Sequence, residues 1–357
     1  MSSNCDGINR GFGLEIENNY GEDIDKDDFN LDWFIEADSV DFKLNDEPVV
    51  KSGSSRMNRR ARAGVLKPTG STQADADLQR FAWYFRAYLD QYKFTEGEDN
   101  INTHEFWGGE CKELTSFRAI AVYDMLKKYI YGLLCDGLSF EVSDESMSIS
   151  TDWIYKTEKA GIIGEDGETF TKPNELINDL FLMFYDTNVF TLDNQLKPKH
   201  FDGISTSFSF EGNNNHDVDS TIGMGSRAPQ KRAQAQKREN NVSIVTSLTR
   251  DTVREILNAQ YGEVGALEPS KCKLLQIPLG LHVELCEVPD ICMDILFPKC
   301  TLNVEFDMSG ADRVEVTMNM VTLGTNSWKL MDNTEIITDM YVKLVNNQPE
   351  LVANESP

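Results

Sequence analysis

Positive charge is in short supply in this chain. Its 357 residues include 34 Lys and Arg against 59 Asp and Glu, a formal net charge of −25. Such a balance keeps a fold soluble and argues against general nucleic-acid binding. Histidine is scarcer still. His104, His200, His216 and His282 are scattered, none with a second His or Cys at ligand spacing, so no metal centre is expected from them. No apolar run approaches the ~18 residues that a membrane helix needs. The opening Met1-Ser2-Ser3-Asn4-Cys5-Asp6 lacks the basic and apolar regions of a signal peptide, so folding in a cytoplasm is expected.

Catalytic signatures are missing too. There is no Gly-x-Ser-x-Gly elbow, Walker loop or complete dinucleotide fingerprint, and Gly223-Met224-Gly225 is a fragment that neither follows a clear strand nor opens a helix. Asp23, Asp25 and Asp27 imitate the start of a calcium loop. However, Asp28 stands where that loop needs Gly, and Phe34 where it needs Glu. Asp75 and Asp77 fit the first turn of a helix, where the dipole favours acids, better than a paired-carboxylate site. The seven cysteines, Cys5, Cys111, Cys135, Cys272, Cys286, Cys292 and Cys300, have no metal-like spacing and read as free thiols, with Cys286, Cys292 and Cys300 buried. The expectation is therefore a non-enzyme without metal or cofactor.

What the chain does have is 40% hydrophobic residues, five tryptophans and enough length for two cores of ordinary size. Phe12–Ile16 and Trp33–Leu44 alternate as strands, with Val40, Phe42 and Leu44 on one face. Residues 45–63 form a long polar loop, and Val65–Pro68 an extended segment ended by Pro68 and Gly70. A helix over Ala74–Tyr92 carries Leu78, Phe81, Phe85, Leu89 and Tyr92 at spacings of three and four, one apolar stripe that must cover a sheet. Strands follow near Thr103–Cys111 and Ile120–Leu126. Tyr129–Val142 and Met147–Tyr155 read as an antiparallel pair.

The Gly- and acid-rich stretch after residue 160 places a boundary that divides the chain into 1–165 and 166–357. The second half replays the order: a strand over Ile204–Phe210, a polar loop over 211–241, an extended Val242–Val245, and a helix capped by Thr249. Strands over Leu281–Leu285, Cys292–Phe306 and Arg313–Thr322 follow, then a loose tail from Asn346. Leu138–Val142 matches Leu302–Phe306 at an offset of 302 − 138 = 164, and Asp38-Ser39-Val40 matches Asp202-Gly203-Ile204 at the same offset. A period this long points to a duplicated domain rather than a solenoid. The expected fold class is α+β, mainly β: two tandem sandwich or half-barrel domains, each with one helix and a long loop.

The two loops gather the basic residues: Arg56, Arg59, Arg60 and Arg62 in the first, and Arg227, Lys231, Arg232, Lys237 and Arg238 in the second. No aromatic residues interleave with them, which disfavours single-strand nucleic-acid binding. The charges can be simply solvated, or a basic arm on an acidic protein can dock on an acidic face of the next copy. Patches that complement each other without two-fold symmetry give rings or open stacks.

Gly11-Phe12-Gly13-Leu14-Glu15-Ile16-Glu17-Asn18-Asn19-Tyr20-Gly21 resembles the start of many tail tube proteins (major tail proteins) of long-tailed bacteriophages. Asp38–Phe42, the arginine-bearing loop, Gly70-Ser71 before a helix and Trp153-Ile154-Tyr155-Lys156 fit the same family, in order over most of the chain. Duplication departs from the usual single tube domain. The resemblance implies a virion structural protein, made in the host cytoplasm, whose domains close six to a ring around a β-barrel lumen. Two domains per chain would make that ring a trimer, a pseudohexamer. Rings would stack through the two basic loops into the tail tube, and DNA would pass through without specific binding. Other implied partners are the tape measure, terminator and distal tail or baseplate proteins, with no membrane. A single-ring terminator, distal-tail or baseplate adaptor is the alternative within the same fold.

Overall fold

Strands dominate the computed structural model, which describes the chain apart from residues 1–9, 25–28, 30–32, 53–56, 59, 144, 166–180, 193–197, 201–204, 248–249, 266–267, 273–275, 308–314 and 354–357. The first half runs β1 (Arg10–Ile16), β2 (Trp33–Glu36), β3 (Ser39–Lys43), β4 (Val49–Lys51), β5 (Arg60–Arg62), β6 (Thr69–Asp75) and helix α1 (Leu78–Tyr88). It continues with β7 (Gln91–Thr95), β8 (Asn102–Trp107), β9 (Phe117–Tyr123), β10 (Leu126–Val142), β11 (Met147–Ile154) and β12 (Thr157–Ile162). The second half runs β13 (Thr187–Leu192), β14 (Pro198–His200), β15 (Ser205–Asn213), β16 (Glu239–Ser247), α2 (Arg250–Tyr261) and β17 (Ile277–Glu284). Then come β18 (Cys292–Asp307), β19 (Glu315–Thr322), β20 (Thr325–Lys329), β21 (Glu335–Thr338) and β22 (Tyr341–Asn346).

Two long strands organise the pairing, which is antiparallel throughout. The first part of β10, residues 126–131, lies between β9 and β12, with Leu126 opposite both Tyr123 and Ile162. Its last part, residues 137–142, lies between β11 and β15, with Phe140 opposite both Ile149 and Phe210. Bulges between Ile130 and Leu133 and between Cys135 and Gly137 mark the passage from one set of neighbours to the other. A bulge adds a residue and bends a strand. Gly132 adopts φ +67 there, and an added Cβ would meet the Lys156 Cβ at 2.8 Å and the Tyr20 ring at 3.0 Å. Its N–H donates to Glu17 Oε1 at 2.8 Å, while Gly21 N–H donates to Glu17 Oε2 at 2.9 Å. Burial holds the Glu17 carboxyl above its usual range despite those two donors.

β18 behaves alike. Residues 292–296 lie between β17 and β22, and residues 300–307 pair with β19. Pro298, which has no N–H to give a ladder, sits between the two stretches. The resulting sheet runs β3-β6-β11-β10-β15-β16-β19-β18 and so crosses both halves of the chain. β22 carries β8 and β7 beside β18.

One face of this sheet is the core. Val40, Phe42, Ile149, Leu138, Phe140, Phe208, Phe210, Val242, Ile244, Met318 and Met320 are all buried on it. α1 lies against them through its apolar residues: Leu78, Phe81, Ala82, Trp83, Tyr84, Phe85, Ala87 and Tyr88 are buried. Phe81 meets Phe140 edge-on at 6.2 Å. Phe140 stacks on Phe210 at 4.9 Å, and Phe210 on Phe297 at 5.6 Å, so the aromatic column joins the halves. Truncating Phe140 to Ala would cost about 3–5 kcal/mol. Asp77 caps α1 by accepting the Gln79 N–H at 2.6 Å.

Several expectations are corrected here. The helix begins at Leu78, not Ala74, because Asp75 closes β6 and Asp77 is the cap. Gly70 lies inside β6 rather than ending an extended segment; its bare Cα lets the Phe42 ring sit against it. Trp33–Leu44 is two strands, broken at Ala37-Asp38. The first basic loop contains a ladder, Val49 opposite Arg62 and Lys51 opposite Arg60, whose side chains are all exposed. The tail is not loose up to Leu351: Asn346 and Leu351 are buried, and Leu351 N–H donates to Tyr92 Oη at 3.1 Å. Cys286 is exposed and Cys292 intermediate, while Cys300 is buried as expected. Asp202–Ile204 and Thr249 lie outside the described residues.

Candidate functional site

The other face of the long sheet is where the molecule meets its surroundings, and it is made of hydroxyls, amides and acids. Because side chains alternate across a strand, burying Leu138, Phe140, Ile149, Phe208 and Phe210 turns Ser139, Glu141, Ser148, Ser150, Asp152, Ser209 and Glu211 outward. They line a shallow hollow of about 370 Å³ together with Gln73 and Asn213. The same face continues through Asp41, Asn241, Ser243, Thr317, Asn319 and Asn303. Lys43 is the one basic side chain among these positions, and Asp41 holds it in an ion pair. Burial, then the charges of Asp136 and Glu211, push the Asp152 carboxyl above its ordinary value. Burial and Asp38 do the same to Asp75. Negative charge is concentrated here enough for the acids to disturb one another.

The sheet has two edges without a neighbouring strand. β3 pairs with β6 on one side only, and residues 301–307 of β18 pair with β19 on one side only, among the described residues. An unpaired edge is a template for another strand. The outward backbone groups of Phe42 are covered by side chains: its N–H donates to Tyr123 Oη at 3.0 Å, and its C=O accepts from Lys128 Nζ at 2.7 Å. Lys128 is itself fixed by Glu158 Oε1 at 3.0 Å.

The structure brings the two basic loops side by side. Leu66 N–H donates to the Arg227 C=O at 2.7 Å, Arg227 Nε donates to the Gly64 C=O at 2.9 Å, and Arg227 Nη2 to Asp46 Oδ1 at 2.7 Å. Lys67 pairs with Asp219 at 2.6 Å. Within the second loop Asp217 N–H bonds Gln234 O, and Ala235 N–H bonds Lys112 O, while Ala233 and Ala235 are buried. That loop is thus folded onto the body. Arg238 lies inside, paired with Asp90 and Asp339, and Arg232 stacks over the Tyr20 ring at 5.9 Å. Arg60, Arg62, Lys231 and Lys237 are exposed. Arg56 and Arg59 lie outside the described residues.

Each histidine with a described side chain has local partners. His104 is buried against Tyr92 Oη at 3.0 Å and the Gln348 C=O at 3.2 Å, and burial lowers its pKa to about 4. His216 faces Asp136 at 2.9 Å, and His282 lies between Asp294 at 2.7 Å and Glu284 at 3.2 Å. Among the described residues no group of three or more His, Cys, Asp or Glu is placed to hold a metal ion, and no helix is long and apolar enough to cross a membrane.

Sequence reasoning found the basic loops but missed the acidic face. The signal was present in the alternation itself: Ser148, Ser150 and Asp152 occupy every position between the apolar residues of β11. No protein-family model matches the chain, and no curated protein matches it.

Proposed function

We propose that this chain is a structural subunit of a bacteriophage tail tube, assembling into stacked pseudohexameric rings, each a trimer, with the acidic sheet face lining a channel for DNA. The observation that carries this reading is the pairing order, which runs through the same sequence twice. β1 pairs with β2 and β9, as β13 pairs with β14 and β17. β3 pairs with β6 and β6 with β11, as β15 pairs with β16 and β16 with β19. β10 pairs with β9, β11 and β12, as β18 pairs with β17, β19 and β22. We read this as one unit present twice, with β4–β5 and β7–β8 inserted in the first copy and β20–β21 in the second. Counted along the ladders, Val40 takes the place of Phe210 in this equivalence.

The acidic face supports the channel role. A wall of carboxylates, hydroxyls and amides repels phosphates and gives them few donors to stick to, so DNA slides past. Exposed Arg60, Arg62, Lys231 and Lys237 on the adjoining loops supply the opposite charge for contacts between rings. Other tail components, the tape measure, terminator and baseplate proteins, would bind at the ends of such a stack. Electron microscopy of concentrated protein tests the reading: hollow filaments support the tube, whereas single rings point to the terminator or baseplate adaptor.

A further inference from the structure

We propose that copies of this chain join head to tail by strand addition, residues 301–307 of one copy pairing antiparallel with the β3 edge of the next, Val304 opposite Val40. The inference rests on the tube reading in one respect, the equivalence of the two halves.

Rows across the sheet set the register. One row reads Leu138, Thr151, Thr72 and Val40 across β10, β11, β6 and β3. The other reads Leu302, Met320, Val242 and Phe210 across β18, β19, β16 and β15. Val40 is therefore the counterpart of Phe210, and Val304 the counterpart of Phe140. Within the chain Phe140 lies opposite Phe210, at the junction where β10 of the first unit meets β15 of the second. The same junction repeated between copies places Val304 opposite Val40, Asn303 opposite Asp41, and Leu302 opposite Phe42.

Two independent features agree with this register. The pairs keep the sheet two-faced: Val40, Phe42 and Leu302 are buried on the core side, and Asn303 and Asp41 stand on the polar side. Hydrogen-bonding phase also matches. Phe42 directs its N–H and C=O outward, to Tyr123 and Lys128. Its counterpart Gly212 lies in phase with Asn214, whose N–H donates outward to the Asp136 C=O of the neighbouring strand at 2.7 Å. Tyr123 and Lys128 thus occupy, in the free chain, the groups that the next copy takes. They guard the edge against indiscriminate pairing. The contact joins two different surfaces, so it propagates into a ring or an open chain rather than a closed dimer.

Cysteine pairs test the register. In a background with Cys5, Cys111, Cys272 and Cys286 changed to Ser, Asn303→Cys chains mixed with Asp41→Cys chains should form covalent heterodimers under mild oxidant. Thr301→Cys with Lys43→Cys is a second, independent pair. Thr301→Cys with Ser39→Cys, displaced by four residues, should leave the chains uncrosslinked. Assemblies visible by electron microscopy without crosslinks in either predicted pair would overturn the junction and leave the tube reading standing. Equal crosslinking of the displaced pair would overturn it too. Protein that stays monomeric at every concentration, with native circular dichroism, would sink both.

Discussion

Arg238 grips Asp339 with two hydrogen bonds, Nη2 to Oδ1 at 2.9 Å and Nε to Oδ2 at 3.2 Å. Its Nη1 reaches Asp90 Oδ1 at 3.2 Å, and Asp339 Oδ2 also accepts from Asn240 Nδ2 at 3.1 Å. The Asp90 side chain is fully buried, and that of Arg238 is 12% exposed. The cluster ties the end of the second basic loop to the segment after α1 and to the turn before β22. Arg238→Ala leaves two acids facing each other without a cation, at a cost of about 3–5 kcal/mol. Urea unfolding measures that loss. An unchanged midpoint would show that the cluster contributes little.

The exposed arginines should behave in the opposite way. Arg60→Glu with Arg62→Glu removes positive charge from a ladder whose side chains are all in solvent, so stability changes by less than about 0.5 kcal/mol. Assembly should suffer instead, with stacking weakened and rings accumulating, and high salt should have the same effect on the unaltered protein. Extending the change to Arg59 should abolish tubes. Normal filaments from the triple variant at physiological salt would remove the electrostatic basis proposed for stacking.

His104 gives a pH signature. Burial holds its folded pKa at about 4, below the ~6.5 of an unfolded chain, so folding favours the neutral ring. That contribution is complete above pH ~6.5 and is lost as pH falls toward 4, with a slope approaching about 1.4 kcal/mol per pH unit. His104→Gln lacks the titrating group. The stability gap between the two proteins should therefore narrow as the solution is acidified, and a gap that stayed constant from pH 7 to 4 would place the histidine in solvent.

Charge on the sheet face has its own readout. Glu141→Lys with Glu211→Lys turns two exposed carboxylates into cations on one side of the sheet without touching the buried side. Assembled wild-type protein should leave short duplex DNA unretained. The variant should retain it, with an affinity that drops steeply as salt rises. Equal behaviour of the two would show that this face is not what DNA meets.

Much of the fold was legible because alternation is a local signal. β10, β11, β15, β18 and β19 all announce themselves by apolar residues at every second position, and Leu78, Phe81 and Phe85 mark α1 by their helical spacing. What the sequence hides is non-local. Nothing in Gly70 or Asp75 says that β6 pairs with β11, or that the helix start is delayed to Leu78 by the Asp77 cap. Arg238 and Arg60 look alike in a chain, yet one finds Asp339, 101 residues away, and the other finds water. Tyr341–Asn346 escaped notice because a short strand at the end of a polar stretch is recognisable only by its partners, β18 and β8.

Negative-stain electron microscopy of the concentrated, full-length protein is the most direct check on the central claim that two like units per chain build the wall of a stacked tube. The account predicts hollow filaments whose end views show pseudo-sixfold rings made from three chains. Solid fibres, or particles that never exceed one chain at any concentration, would contradict it.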